Sequence, residues 1–225
     1  MMDAIKKRLG RAAAELIKSG MRVGLGSGST AHFFIKRLGE LCAEGLAIQA
    51  VASSNESEEL AKRAGIPLTD INQLSSLDIA VDGADEIDEQ KRMIKGGGGA
   101  LVREKILASM STEMVVLVEE SKLCSLLGKK NLPVEMIPFG IQATCRQIER
   151  LGFHGSFRKN KKGDLFITDN HNYIFDIHFP RLREHPERDH ASLIQLPGVV
   201  DTGFFFHLAG RVLIGFSDGQ IVTRP

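Results

Sequence analysis

The chain has 225 residues, 43% hydrophobic and 25% charged, and its 29 Lys and Arg against 28 Asp and Glu give a net charge of +1. That is the composition of a globular protein with room for one large domain, or a main domain and a smaller partner. It excludes a generally basic nucleic-acid binder or membrane-surface protein, so neither nucleic acid nor membrane is an expected partner. The three cysteines, Cys42, Cys124 and Cys145, are far apart and outside any C-x-x-C pattern. They argue against a disulfide framework and a zinc site, and for a reducing, cytoplasmic setting.

Residues 3–18 place Ile5, Leu9, Ala12, Ala13, Leu16 and Ile17 at helical spacing, with Gly20 as a stop. The segment is too charged for a secretion signal, and no apolar run reaches the roughly 20 residues that span a bilayer. "MRVGL" reads as a short strand, followed by a Gly-rich turn and a helix from about 30 to 41. "AIQAVAS" is the next strand, followed by a helix from about 56 to 64. "LDIAV" (77–81) and "EMVVLV" (113–118) are apolar without alternation, as strands covered on both faces are. Strands alternating with helices predict an α/β fold, a Rossmann-like and mostly parallel sheet flanked by helices.

The pattern changes at "LPVEMIPFG" (132–140). A helix to about 151, strand-like runs "GSFRK", "DLFITD" and "NYIFDIHF", a helical stretch over 181–195 and "GVVDTGFFFHL" predict a small α+β lobe. "GRVLIGFSDGQIVTRP" reads as a hairpin turning at Ser217-Asp218-Gly219 and returning to the first domain. The expected division is therefore 1–131 with 207–225 as the α/β catalytic domain, and 132–206 as the smaller inserted lobe.

Three stretches carry chemistry. In "VGLGSGST" (23–30), Gly24, Gly26 and Gly28 lie between a strand and a helix. Backbone N–H groups of such a turn, with hydroxyls from Ser27, Ser29 and Thr30, form an anion site. A P-loop is ruled out because Gly28, not Lys, precedes Ser29. Gly26-x-Gly28-x-x-Ala31 fits a loose dinucleotide fingerprint, but Ser53 and Ser54 stand where its acid belongs. A tight turn that binds nothing is the plain alternative.

In "VDGADEID" (81–88), Asp82 closes an apolar strand at the carboxyl end of the sheet, where open α/β folds hold ligands. Asp85 follows beyond Gly83. The pair could move protons, bind sugar hydroxyls or hold a divalent cation. Glu86, Asp88 and Glu89 read as solvated charges. In "MIKGGGGALVREK" (93–105), four glycines separate Lys95 from a helix over about 100–110. Glu104 has Ala100 and Leu101 at i−4 and i−3 and Ala108 at i+4, so its carboxylate lies on an apolar stripe, the setting of a general base. A Glu paired to a basic neighbour at a helix edge is the competing reading. Lys122 follows a buried strand, and either reaches the carboxyl end of the sheet or is an ordinary surface lysine.

"GLGSGST", "VDGADEID", "KGGGGALVREK" and "LPVEMIP" occur in this order, followed by "TDN" (168–170) and "LPGVV" (196–200). Together they resemble type A ribose-5-phosphate isomerase over essentially the whole chain. The resemblance implies an aldose–ketose isomerase of the pentose phosphate pathway, working without metal or cofactor and forming homodimers or homotetramers. By position Glu104 matches the family's proton acceptor. Ser27, Gly28, Ser29, Thr30, Asp82, Gly83, Ala84, Asp85, Lys95, Gly96, Gly97, Gly98 and Lys122 match its substrate-binding segments, and Lys6 matches a lysine of the first helix. The chain departs at Ser27, where Thr is expected, at Gly99, where Ala is frequent, and in 153–165, which is unusually basic.

The chemistry fits those residues. Glu104 would move the proton between C2 and C1, and Lys95 with the glycine N–H groups would stabilise the enediolate. Asp82 would assist ring opening and the O1–O2 proton transfer, while Asp85 orients hydroxyls. Ser27–Thr30, Lys6 and Lys122 are the phosphate candidates. The rival readings are a non-catalytic sugar-phosphate sensor and an NAD-linked dehydrogenase.

Overall fold

The computed structural model describes residues 2–225. Short, apolar, β-branched runs become the strands of a six-stranded sheet: β1 (Arg22–Leu25), β2 (Gln49–Ala52), β3 (Leu77–Gly83), β6 (Ser111–Glu119), β12 (Ala209–Gly215) and β13 (Ile221–Arg224). Their order is β13-β12-β6-β3-β1-β2, and every neighbouring pair is parallel except β12 with β13. The six consecutive buried residues from Met114 to Glu119 meet the expectation for a strand covered on both faces. The closing hairpin turns where expected, through Gly219 at φ 91°.

Helices α1 (Met2–Ala14), α2 (Gly28–Ala43) and α3 (Asn55–Arg63) pack against this sheet. Leu9, Ala13, Phe34, Ile35, Leu38 and Ala61 join Val23, Leu25, Ile79, Val81, Val115 and Leu117 in one buried cluster. A second cluster sets Leu107 of helix α4 (Leu101–Met110) beside Val51 and Leu77. The first helix ends earlier than the 3–18 periodicity predicts: Leu16 and Ile17 close with i→i−3 hydrogen bonds to Ala13 and Ala14, a tightened last turn.

The chain divides into two compact units. The first takes residues up to Ala84, then Arg103–Leu123 and Leu208–Pro225; the second takes Asp85–Val102 and Cys124–His207. The division differs from the expected 132–206 lobe, because 85–102, 124–131 and residue 207 belong with the second unit. Strands β4 (Glu86–Ile87) and β5 (Met93–Ile94) form a three-stranded sheet with β11 (Phe204–Phe205), and the Glu86 carboxylate accepts the N–H groups of Gly128 and Lys130. Glu86 and Asp88 are correspondingly buried rather than solvated, Asp88 accepting Arg92 Nε at 2.6 Å. Only Glu89 of that acidic group is exposed, as expected.

The rest of the second unit is a four-stranded antiparallel sheet, β10-β7-β9-β8, from β7 (Leu132–Met136), β8 (His154–Phe157), β9 (Tyr173–His178) and β10 (Val199–Thr202), with helices α5 (Ile141–Arg150) and α6 (Pro186–Ile194). Two expectations fail here. "DLFITD" makes only isolated bridges, Lys159 to Leu165 and Ile167 to Tyr173, since the Asn160 side chain captures the N–H groups of Lys162 and Asp164 and closes a turn instead. The helix of 181–195 begins only at Pro186, whose ring suits the first helical position and disfavours helix in the residue before it. Inside the sheet Glu135 is fully buried, and one of its oxygens accepts Thr168 Oγ1 at 3.1 Å, Asn170 Nδ2 at 3.0 Å and Asn172 Nδ2 at 2.8 Å.

On the first unit's sheet, Asp78 accepts the Arg22 backbone N–H and both arms of its guanidinium, and this holds its carboxyl down at about 2. A folded-state value below the unfolded one stabilises the fold above the unfolded value, and the stabilisation is lost as pH falls through the folded one. Asp78→Asn is therefore expected to lower the melting temperature at pH 7, with the gap to the unsubstituted chain closing between about pH 4 and about pH 2 in a pH series of thermal melts.

Candidate active site

The order of the main sheet reverses between β1 and β3. Chain leaves the sheet at the carboxyl ends of both strands there, which is where open α/β folds place ligands. β1 runs into Gly26 and Ser27, and β3 ends on Asp82 and Gly83. Gly26 has no alternative at its position: a Cβ would lie 2.2 Å from Asp82 Cγ, and its N–H is given to Val81 O at 2.9 Å. The Ser57 hydroxyl donates to the Gly26 carbonyl at 2.7 Å, pinning the turn from the start of α3.

The missing side chain lets the turn close on Asp82. One oxygen, Oδ1, accepts the Ser27 N–H at 3.0 Å and the Gly83 N–H at 2.8 Å. Asp82 is only 3% exposed and Glu104 only 5%. The Ser27 hydroxyl donates to Glu104 Oε1, so Ser27 is tied to both carboxylates, through its N–H to one and its hydroxyl to the other. Glu104 lies where the apolar stripe predicts, with Ala100, Leu101 and Ala108 all buried around it.

The anion-site residues follow. Ser27 is the extended N-cap residue of α2, Gly28 opens the helix at φ 78°, Ser29 is exposed and Thr30 is buried. Lys6 reaches from α1 to donate to Ser29 Oγ at 2.9 Å and stands 3.7 Å from Glu119. A cation and a helix N-terminus therefore meet at Ser29, an arrangement that favours a bound anion. Lys122 closes a 3-10 turn, Glu120–Lys122, directly after β6 and is partly buried. Gly83 and Ala84 are partly exposed at the end of β3. Among the described residues no group of three or more His, Cys, Asp or Glu side chains is arranged to hold a metal ion.

In the second unit the glycine run is a tight turn, with the Gly99 N–H donating to Gly96 O at 2.9 Å and φ of 99° at Gly96 and 90° at Gly99. Its Gly97 N–H donates to Asp85 Oδ2 at 2.8 Å, and a Cβ on Gly97 would meet that carboxylate at 2.8 Å. Lys95 is 3% exposed; its N–H goes to Gly203 O at 2.8 Å and its ammonium lies 5.4 Å from the centre of the Phe205 ring. Asp85 and Gly97, twelve residues apart, thus lie against each other. Arg158, not among the residues expected from the sequence, donates to the carbonyls of Gly96 at 2.7 Å and Gly97 at 3.1 Å. It sits in the basic stretch 153–165, and nothing in the sequence separates it from Lys159, Lys161 and Lys162.

The departure at Gly99 has a local cause. At φ 90° a side chain is strained, and a Cβ there would lie 2.5 Å from two ring atoms of Phe166. Gly99→Ala is expected to cost about 1–3 kcal/mol, seen as a lower midpoint in denaturant titration with an unchanged slope.

Comparison with known proteins finds relatives over nearly the whole chain. The family model for ribose 5-phosphate isomerase A (phosphoriboisomerase A) matches residues 49–219. The chain is 51% identical to ribose-5-phosphate isomerase A of Chlamydia felis over 218 residues, 96% of this chain and 93% of the relative. It is 46% identical to the protein of the same name from Protochlamydia amoebophila, over 96% of this chain and 93% of that one. Among solved structures, ribose 5-phosphate isomerase from Plasmodium falciparum superposes with a TM-score of 0.95 at 35% identity, over 99% of this chain and 98% of the other. A D-ribose-5-phosphate isomerase in complex with phospho-erythronic acid superposes with a TM-score of 0.92, also at 35% identity, over 98% and 97%. The chain belongs to the ribose 5-phosphate isomerase A family.

Proposed function

We propose that Ser27, Asp82 and Glu104, with Lys95 and the glycine run, carry the reaction of this family in this chain. The chain is an isomerase that interconverts D-ribose 5-phosphate and D-ribulose 5-phosphate. The observation that carries the assignment of residues is the hydrogen-bonded set at the strand ends: two buried carboxylates, Asp82 and Glu104, both held by Ser27.

Isomerisation takes a proton from C2 of the open-chain aldose, leaves a cis-enediolate and returns a proton to C1. One fixed base serves both steps if it faces both carbons. Glu104 is that base: α4 carries it, and the Ser27 hydroxyl fixes one of its oxygens. Asp82 is a carboxylate anchored by two N–H groups, and it serves ring opening and the proton transfer between O1 and O2. The enediolate concentrates charge on oxygen, where pre-aimed donors act most strongly. Lys95, buried beside Phe205, and the N–H groups of Gly96 and Gly98 are assigned that role; Asp85, which holds the Gly97 N–H in place, orients substrate hydroxyls. The phosphate is assigned to the α2 N-terminus, Ser27 to Thr30, with Lys6, and to Lys122; Gly83 and Ala84 line the chain beside Asp82.

Neither rival gains support. A dehydrogenase of this fold needs an acid after β2, where Ser53 is wholly buried and Ser54 caps α3. A sensor would bind ribose 5-phosphate and turn nothing over, and the family match favours the enzyme. We assign the chain to the cytoplasm, with its three free thiols as support, and to a homodimer or homotetramer, with exposed Phe139 and Ile167 as apolar groups a second copy would cover.

Glu104→Gln is expected to lower kcat for ribose 5-phosphate by about a thousandfold or more with KM little changed, since the amide is isosteric but cannot accept the proton. Turnover within tenfold of the unsubstituted chain, followed as ketose formation, would remove Glu104 from the mechanism. Activity is also expected to persist in full after treatment with EDTA. Loss restored by Mg²⁺ would instead make Asp82 and Asp85 cation ligands.

A further inference from the structure

Arg158 stands on the chain leaving β8, and its guanidinium is wholly engaged inside the second unit. Nη1 donates to Gly96 O at 2.7 Å and to Gly97 O at 3.1 Å. Nε and Nη2 form a fork onto the two oxygens of Asp176, at 2.9 and 2.6 Å. Its carbon centre lies 5.8 Å from the Phe166 ring, the same ring that fills the space beside Gly99. The backbone on either side is fixed as well, with the Arg158 N–H given to Ile174 O at 2.9 Å and the Arg158 carbonyl accepting Phe166 N–H at 2.9 Å.

This arrangement has a geometric consequence for the glycine run. Within a trans peptide the C=O of one residue and the N–H of the next point in opposite directions. Holding the carbonyls of Gly96 and Gly97 on one guanidinium therefore turns the N–H groups of Gly97 and Gly98 away from Arg158. The Gly97 N–H is found on that far side, on Asp85 Oδ2. Glycine by itself does not fix these planes, because its backbone visits more conformations than any other residue. A lysine could donate to the carbonyls but could not also close the fork on Asp176.

The geometry points to Arg158, anchored by Asp176, as the positioning residue that sets the peptide planes of the glycine run for isomerisation. It rests on the reading above, in which that run serves the enediolate. Arg158 does not touch the substrate in this account. Its effect falls on charge that develops during the reaction, so it belongs to kcat more than to KM.

The test uses the full chain with Arg158→Met, Arg158→Lys, Asp176→Asn and the double variant Arg158→Met with Asp176→Asn, each assayed with ribose 5-phosphate and normalised to folded protein. Arg158→Met is expected to lower kcat about a hundredfold with KM within about threefold. Arg158→Lys is expected to lose about tenfold, and the double variant to match Arg158→Met within about twofold because both act through one contact. Affinity for phospho-erythronic acid, whose planar carboxylate resembles the enediolate end of the intermediate, is expected to fall with kcat rather than with KM. A side chain that merely supported the fold would lower the melting temperature without that parallel. A kcat for Arg158→Met within threefold of the unsubstituted chain would overturn the proposal; if Arg158→Met does not fold, an unchanged kcat for Arg158→Lys does so. Gly97→Ala separates the two levels. If it too keeps full kcat, the assignment of the glycine run fails and takes this proposal with it; if it loses kcat while Arg158→Met does not, only the role of Arg158 fails.

Discussion

Two N–H groups converge on one oxygen of Asp82, and the local architecture of the first unit follows from satisfying that oxygen. A carboxylate buried at the end of a central strand is costly unless it is hydrogen-bonded. Here the donors come from the turn after β1 and from the residue after Asp82 itself. For the first donor to reach, the β1 turn must pass over the aspartate with no side chain at Gly26, and the register of β1 on β3 must place Leu25 opposite Val81. The same turn then presents the Ser27 hydroxyl to Glu104 and starts α2 at Gly28. Sheet order, one glycine and one carboxylate determine one another.

The glycine run meets a different constraint by the opposite route. Around Asp82 the absence of a side chain at Gly26 makes room, and hydrogen bonds from Ser57 and to Asp82 then hold the turn. In the run Gly96–Gly99 there is excess freedom, and it is removed by partners: Asp85 on the N–H of Gly97, Arg158 on two carbonyls, and the Phe166 ring against Gly99. Conformational entropy is spent on one arrangement of backbone dipoles, which fits a role in meeting charge on a small ligand.

Much of this was legible in the sequence. Unalternating apolar runs at 77–81 and 113–118 announce covered parallel strands, and the spacing of Ala100, Leu101, Glu104 and Ala108 by itself places a carboxylate on an apolar stripe. The burial of Glu86 and Asp88 is not legible in sequence, where charge density looks like solvation; it depends on Arg92 and on N–H groups of 128 and 130, which lie up to 44 residues away. Arg158 was hidden for the same reason, one basic residue among several whose distinguishing feature is a contact 62 residues away. "DLFITD" fails as a strand because alternation records which faces are apolar, whereas Asn160 decides where the backbone hydrogen bonds go. "LPVEMIP" and "TDN" stand apart in the sequence and meet at Glu135, whose carboxylate accepts Thr168 and Asn170 of the second motif and Asn172 just beyond it.

Of the chain's four passages between its two units, two bear on the candidate set, at Ala84–Asp85 and at Val102–Arg103. Each of these two falls inside a cluster of candidate residues: Asp82 precedes the first and Asp85 follows it, while the glycine run precedes the second and Glu104 follows it by one residue. Neither unit can be lifted out as an independent module carrying the complete set. A fusion, duplication or shuffling event that respects the unit boundaries would break the set at both places. On this layout the candidate set can be inherited only whole, with little freedom to exchange parts between the units.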